Sequence, residues 1–155
     1  MQKIMPCLWF NFNAEEAINH YLSIFKNSKI KKIQHYGNEI PEHKGKVITI
    51  IFEIEGREFR ALNAGTNYPF TEAISLSVDC ADQAEVDMLW ERLSAGGSAG
   101  PCGWLKDKFG LSWQIVPQQL MSMLDDPDSL KVERVMKAMM MMSKLDIATL
   151  EQAYK

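Results

Sequence analysis

Apolar and polar positions alternate along residues 3–10 until Asn11 and Asn13 end the run, which predicts a strand. The period then changes. Ala14, Ala17, Ile18, Tyr21, Leu22 and Phe25 recur at helical spacing and form one apolar stripe suited to packing on a sheet. Ahead of that stripe, Asn13-Ala14-Glu15-Glu16 has the form of a capping box, with a side-chain acceptor at the N-cap and a carboxylate three residues on. Residues 29–36 predict a second strand, and the polar stretch 37–46, with Pro41 and Gly45, predicts a loop long enough to move over a site. The alternation is clearest over 47–55. Ile48, Ile50, Phe52 and Ile54 share one face; Val47, Thr49, Ile51 and Glu53 share the other, which is mixed enough to line a cavity. Glu55-Gly56-Arg57 turns this strand into 58–63, an antiparallel hairpin, and loop follows to Pro69.

The pattern then repeats in shortened form. Residues 70–78 predict a strand, Asp82-Gln83-Ala84-Glu85 is a second capping box, and Val86, Leu89, Trp90 and Leu93 repeat the helical stripe before Gly96-Gly97 stops it. Gly110 matches Gly56 as a hairpin turn and Trp113 matches Phe59, so the second copy lacks about fifteen residues between helix and hairpin. Beyond Pro117 the pattern is helical only. Asp126-Pro127 reads as a cap followed by the first helical residue, with Val132, Val135, Met136, Met139 and Met140 as its stripe, and Asp146 caps a last helix through Tyr154. The methionine run 139–142 reads as a flexible apolar face over the sheet or a second subunit, with thioether metal ligation as the alternative.

Composition narrows the class. With 155 residues, 46% hydrophobic and 24% charged, the chain suits one compact soluble domain. A formal charge of −3 leaves no basic face for nucleic acid, and no long apolar run predicts a membrane span or leader, so a cytoplasmic protein is expected. Three cysteines without CxxC spacing fit reduced thiols better than a disulfide frame or a zinc site.

Candidate chemistry is sparse. Among His20, His35 and His43 only His35 stands where it could face a cavity, and each reads first as a solvated or structural side chain. Cys7 and Cys102 are possible nucleophiles with no neighbour in sequence that would lower a thiol pKa. The glycine-rich stretch 94–100 follows a helix, whereas a phosphate or nucleoside cradle follows a strand and opens one; it reads as a C-cap and connection. No cofactor pattern is present and none is expected. Trp9, Trp104, Trp113, Tyr68 and Phe70 gather near predicted strand ends, with Asn63, Ser75, Cys102 and Gln114 as the few polar contacts nearby. Alternation separates them further: if Gln114 faces a cavity, Trp113 faces the helix layer.

The run 8–17, residues 59–63 and 70–75, and above all 102–117 (CGWLKDKFGLSWQIVP) resemble the PhnB-like family, also called the 3-demethylubiquinone-9 3-methyltransferase domain, of the glyoxalase/bleomycin-resistance/dioxygenase superfamily. The resemblance implies an α+β fold of two unequal βαβββ modules, about 1–66 and 67–118. They form a curved mixed sheet with helices on its convex side and a helical tail over about 119–155. It also implies a homodimer. The superfamily's metal enzymes carry their ligands at positions matching the vicinity of Pro6, Ser75 (or Ala73 with a slip of two) and Gln114, with Arg60 as the first-module counterpart of Gln114. Only Gln114 is a ligand type, and one neutral amide does not hold a divalent cation, so no metal is expected. The pocket candidates are then Pro6, Leu8, Arg60, Asn63, Ser75, Cys102, Trp104 and Gln114. The leading expectation is a metal-free protein binding a small, partly aromatic molecule. A metal-dependent lyase, isomerase or dioxygenase, or a methyltransferase as the family name suggests, are the alternatives.

Overall fold

The computed structural model describes residues 2–65 and 68–155, so Thr66 and Asn67 of the predicted loop lie outside the described residues. The chain forms two compact units that meet in sequence at Tyr68 and Pro69. The first runs β1 (Cys7–Phe10), α1 (Ala14–Ile24), β2 (Ser28–His35), β3 (Val47–Ile54) and β4 (Arg57–Asn63). Its sheet has the order β1-β4-β3-β2, with β1 parallel to β4 and the other pairs antiparallel. The second runs β5 (Ser75–Cys80), α2 (Gln83–Ser94), β6 (Ser98–Ala99), β7 (Trp104–Lys106) and β8 (Ser112–Pro117), in the order β5-β8-β7-β6 with β5 parallel to β8. Three tail helices follow: α3 (Gln118–Leu124), α4 (Ser129–Met140) and α5 (Ile147–Tyr154). Each unit is thus a βαβββ module with its own four-stranded mixed sheet, as the duplication in the sequence implies.

Alternation sorts each sheet into a helix side and an open side. In the first unit Leu8, Phe10, Ile50, Phe52, Ile54, Phe59 and Ala61 are buried, and α1 covers them with Ala17, Ile18 and Tyr21. Phe52 and Phe59 stack at 5.4 Å across the hairpin. The turn is the expected one: Glu55 (φ 46°) and Gly56 (φ 75°) are both left-handed, as a two-residue primed turn requires. In the second unit Leu105, Trp113 and Ile115 are buried with Val86, Leu89 and Leu93 of α2.

The helix caps differ from expectation in two places. Asp82 caps α2 as predicted: its backbone is extended, Oδ1 accepts from Glu85 N at 2.9 Å, and Glu85 Oε2 accepts from Ala81 N at 2.7 Å. Asn13, with ψ 19°, is not extended and makes no side-chain cap bond; Asn63 Oδ1, from the far end of β4, accepts from Ala14 N instead. In the tail, Asp128 caps α4 by accepting from Leu130 N, while Asp126 accepts from Asp128 N and holds Pro127 in the preceding turn. Asp146 caps α5 as expected, accepting from Thr149 N.

Two other elements shift. The strand predicted over 70–78 begins only at Ser75, because residues 70–74 turn on themselves and have no ladder partner. Within 94–100, Gly96 (φ 75°) ends α2 as a C-cap glycine does, and Ser98 and Ala99 then pair with Lys106 and Leu105 as β6. The methionine run divides: Met139 and Met142 pack against the cluster of Leu120, Met123, Val135, Leu145 and Leu150, while Met140 and Met141 project outward.

Candidate functional site

The second sheet sets three of the predicted pocket residues, Ser75, Trp104 and Gln114, on one face, and of these only Trp104 lines the cavity that opens there, together with Cys102 from the loop before β7. Because α2 takes the side bearing Leu105, Trp113 and Ile115, the ladder register leaves Ser75, Ser77, Trp104, Lys106, Ser112 and Gln114 on the opposite, open side. Trp104 pairs directly with Gln114, and Gln114 Nε2 donates to Ser75 Oγ at 2.9 Å. A cavity of about 530 Å³ opens on this face, and Cys102, Trp104, Lys106, Ser112, Ser98 and Glu72 are among the residues that line it. Trp113 faces the other way, as alternation requires. It is 2% exposed, and its indole Nε1 donates to Asp107 Oδ2 at 2.9 Å.

The wall carrying Cys102 is held by the tail. Cys102 sits at φ 56°, a left-handed conformation costly for a residue with a Cβ, and its N–H donates to Met142 O at 2.8 Å. Gly103 N donates to Ser143 O, Gly103 O accepts from Ile115 N, and Ser143 Oγ donates to Gly100 O at 2.6 Å. Residues 142–143, between α4 and α5, therefore hold the loop at three residues, Gly100, Cys102 and Gly103, of which Gly100 and Cys102 line the cavity. Lys106 Nζ lies 2.5 Å from Glu72 Oε1, and this ammonium holds the Glu72 carboxyl below the usual carboxylate range.

In the first unit the predicted residues separate. The parallel register pairs Cys7 with Arg60, so Cys7 and Trp9, together with Arg60 and Leu62, occupy the open side. Leu8 is buried on the α1 side, and Pro6 precedes β1, its carbonyl accepting from Arg60 N at 2.9 Å. Asn63 is also on the α1 side and is spent on backbone: besides Ala14 N, its Nδ2 donates to Val47 O at 3.0 Å and its carbonyl accepts from the Tyr36 hydroxyl. His35 and Asn63 do line a cavity, of about 470 Å³, with Phe12, Glu15 and Lys46 at the end of the first sheet.

Sequence reasoning missed Lys106, Ser112, Ser98 and Glu72. For Lys106 and Ser112 the signal was present: each stands two residues from Trp104 or Gln114 on the same strand and so shares its face.

The thiols differ in environment. Partial desolvation raises the Cys7 pKa against the opposing pull of Arg60, whereas burial, reinforced by Glu85 and Asp79, pushes Cys80 up to about 12. Native Cys80 thus keeps its proton where the unfolded thiol, near 9.0, has lost it. Its contribution is fully present below pH 9 and falls by up to ~1.4 kcal/mol per pH unit above that, until the native thiol itself ionises. Urea unfolding at pH 8 and pH 10 should show wild type losing more stability than Cys80→Ala. Parallel losses would refute the assignment.

The positions that the resemblance matches to metal ligands do not fit a divalent cation. They offer a thiol beside a guanidinium in one unit, and serine hydroxyls with a neutral amide already donating in the other. Among the described residues no group of three His, Cys, Asp or Glu side chains gathers in a metal-binding arrangement.

Two βαβββ modules with open sheet faces place the chain in the glyoxalase/bleomycin-resistance/dioxygenase superfamily. The chain belongs to the 3-demethylubiquinone-9 3-methyltransferase family, whose model matches residues 2–116. It is similar to the PhnB protein from Bacillus cereus, at 36% identity and TM-score 0.67, over 75% of this chain and 99% of that one. A protein from Pseudomonas aeruginosa is 23% identical at TM-score 0.64, covering 76% and 98%. The fosfomycin resistance protein FosX from Listeria monocytogenes, in a structure with Mn(II) and sulfate, shares the fold at 15% identity and TM-score 0.51, covering 73% and 88%. No curated protein gives a significant match. The family match ends before α3, so residues 142–143, which hold Gly100, Cys102 and Gly103, lie beyond it. No helix among the described residues is long and apolar enough to cross a membrane.

Proposed function

We propose that the protein binds a small, partly aromatic molecule in the cavity of its second module, without a metal ion, and that it does so as a homodimer. The observation that carries this is the cavity wall itself: a partly exposed Trp104 ring, a thiol and hydroxyls over a four-stranded sheet, in a space of the size that small-molecule sites have. The donor set described above argues against metal chemistry at the matched positions. For methyl transfer, the glycine-rich run leaves α2 and enters β6, the reverse of a strand-to-helix cofactor loop.

Titrating isotope-labelled protein with indole, and reading amide and indole chemical shifts, tests the reading. Shifts should cluster on Trp104, Cys102 and Ser112 and disappear in Trp104→Ala. The absence of clustered shifts would overturn the cavity assignment. Stoichiometric divalent metal in purified protein, with binding lost on chelation, would overturn the metal-free part. Light scattering should give twice the 17.7 kDa chain mass, and a monomer would remove the dimer from the proposal.

A further inference from the structure

The ladder register of the second sheet sets one cross-strand row on its open face. Ser98 of β6 pairs with Lys106 of β7, Lys106 pairs with Ser112 of β8, and Ser112 pairs with Ser75 of β5. Cross-strand partners point the same way, so three hydroxyls and one ammonium stand side by side, with Trp104 in the adjoining row. Three members of the row, Ser98, Lys106 and Ser112, line the cavity together with Trp104.

Ser112 is only 1% exposed, and its Oγ has no hydrogen-bond partner among the described residues. A buried hydroxyl left without a partner is an open position in the structure, and it is filled when an acceptor arrives. Among the described residues the only acidic one in the cavity's lining is Glu72, which already takes the neighbouring ammonium. Its side chain is 64% exposed, so the pair is a surface ion pair that adds little to stability and is exchanged at small cost.

From this we infer that the cavity recognises its ligand through an anionic oxygen head group, seated on Lys106 and Ser112 with the apolar body against Trp104, and that Glu72 occupies the head-group place until the ligand displaces it. The row suits an oxyanion because every group in it donates: the ammonium carries three donors and each hydroxyl one. A cationic head group would meet Lys106 at once, and a neutral amide would gain nothing from the ammonium beyond what Glu72 already supplies. This inference rests on the cavity being the binding site.

The test compares benzoate with benzamide, a matched pair of equal shape, by chemical-shift titration of the full chain. Benzoate should bind at least about tenfold more tightly. Glu72→Gln, on an exposed side chain, should tighten benzoate several-fold and widen its preference over benzamide. Lys106→Gln should bring the two probes to within about twofold of each other, and Ser112→Ala should weaken benzoate while keeping the wild-type unfolding transition. Equal affinity for the two probes in wild type, or benzoate binding weakened by Glu72→Gln, would overturn the head-group inference while leaving the cavity reading standing. Binding of neither probe would overturn both.

Discussion

Replacing Gly97 by alanine should destabilise the protein by about 3 kcal/mol or more in urea unfolding, because the added methyl has no space at all. A Cβ there would lie 2.0 Å from Lys106 O, at the end of β7, and 2.7 Å from Asp107 C, the first residue of the turn that follows, both backbone atoms. Backbone of a paired strand cannot turn aside as a side-chain tip can, so β6 has to separate from β7 or α2 has to shift at its C-terminal end. Either movement displaces Ser98 from the cavity row, and benzoate binding should fall with stability. Gly56→Ala is the control. Its φ is 75°, yet nothing lies within 4 Å of a Cβ, so only the left-handed backbone strain remains, ~1–2 kcal/mol. Equal losses in the two variants would show that conformation, and not the close approach at Gly97, sets the cost.

That contrast also explains what the amino-acid pattern revealed and what it hid. Hydrophobic periodicity is a local property, so α1, α2 and the hairpin turning at Gly56 could be read directly from spacing. The two βαβββ copies followed from their repetition. Long-range contacts leave no such trace. The cap of α1 comes from Asn63, forty-nine residues away in sequence, and Asn13, the local candidate, is held in a backbone geometry that cannot serve. β6 is two exposed residues in a glycine-rich stretch, defined only by its ladder to β7. The first-module site residues turn on a one-residue offset: parallel pairing sets Cys7, and not Pro6, opposite Arg60, and a shift of one reverses the face of every side chain, so Leu8 goes to α1 and Trp9 to the open side. In the second module Ser75, Trp104 and Gln114 share the face opposite Trp113, as alternation requires, whereas only Cys102 and Trp104 of the predicted residues line the cavity. The clamp from Met142 and Ser143 onto Cys102 and Gly103 was invisible in sequence, since it is made through backbone groups of residues whose side chains carry no signal for it.

Asp107→Ala should cost about 3–5 kcal/mol, since it strips the acceptor from several donors at once. The carboxylate, 2% exposed, accepts from Phe109 N at 2.9 Å and Leu111 N at 3.0 Å through Oδ1, and from Trp113 Nε1 at 2.9 Å through Oδ2. It thereby shapes the five-residue turn between β7 and β8 and fixes the ring of the largest buried side chain. Asp107→Asn keeps an acceptor for the two amides but presents an N–H to the indole N–H. It should fall between alanine and wild type, at ~2 kcal/mol. Trp113→Phe removes the indole donor, so in the double variant with Asp107→Asn the amide no longer faces an opposing N–H, and the combined loss should be smaller than the sum of the singles. Additive losses would mean the indole bond contributes nothing specific, and an Asp107→Ala variant within 1 kcal/mol of wild type would refute the turn's dependence on this carboxylate altogether. Because the turn sets the register in which Lys106 and Ser112 stand as neighbours, the same variants should lose benzoate binding in proportion to the fraction unfolded at low denaturant, but should keep the preference for benzoate over benzamide in the molecules that remain folded.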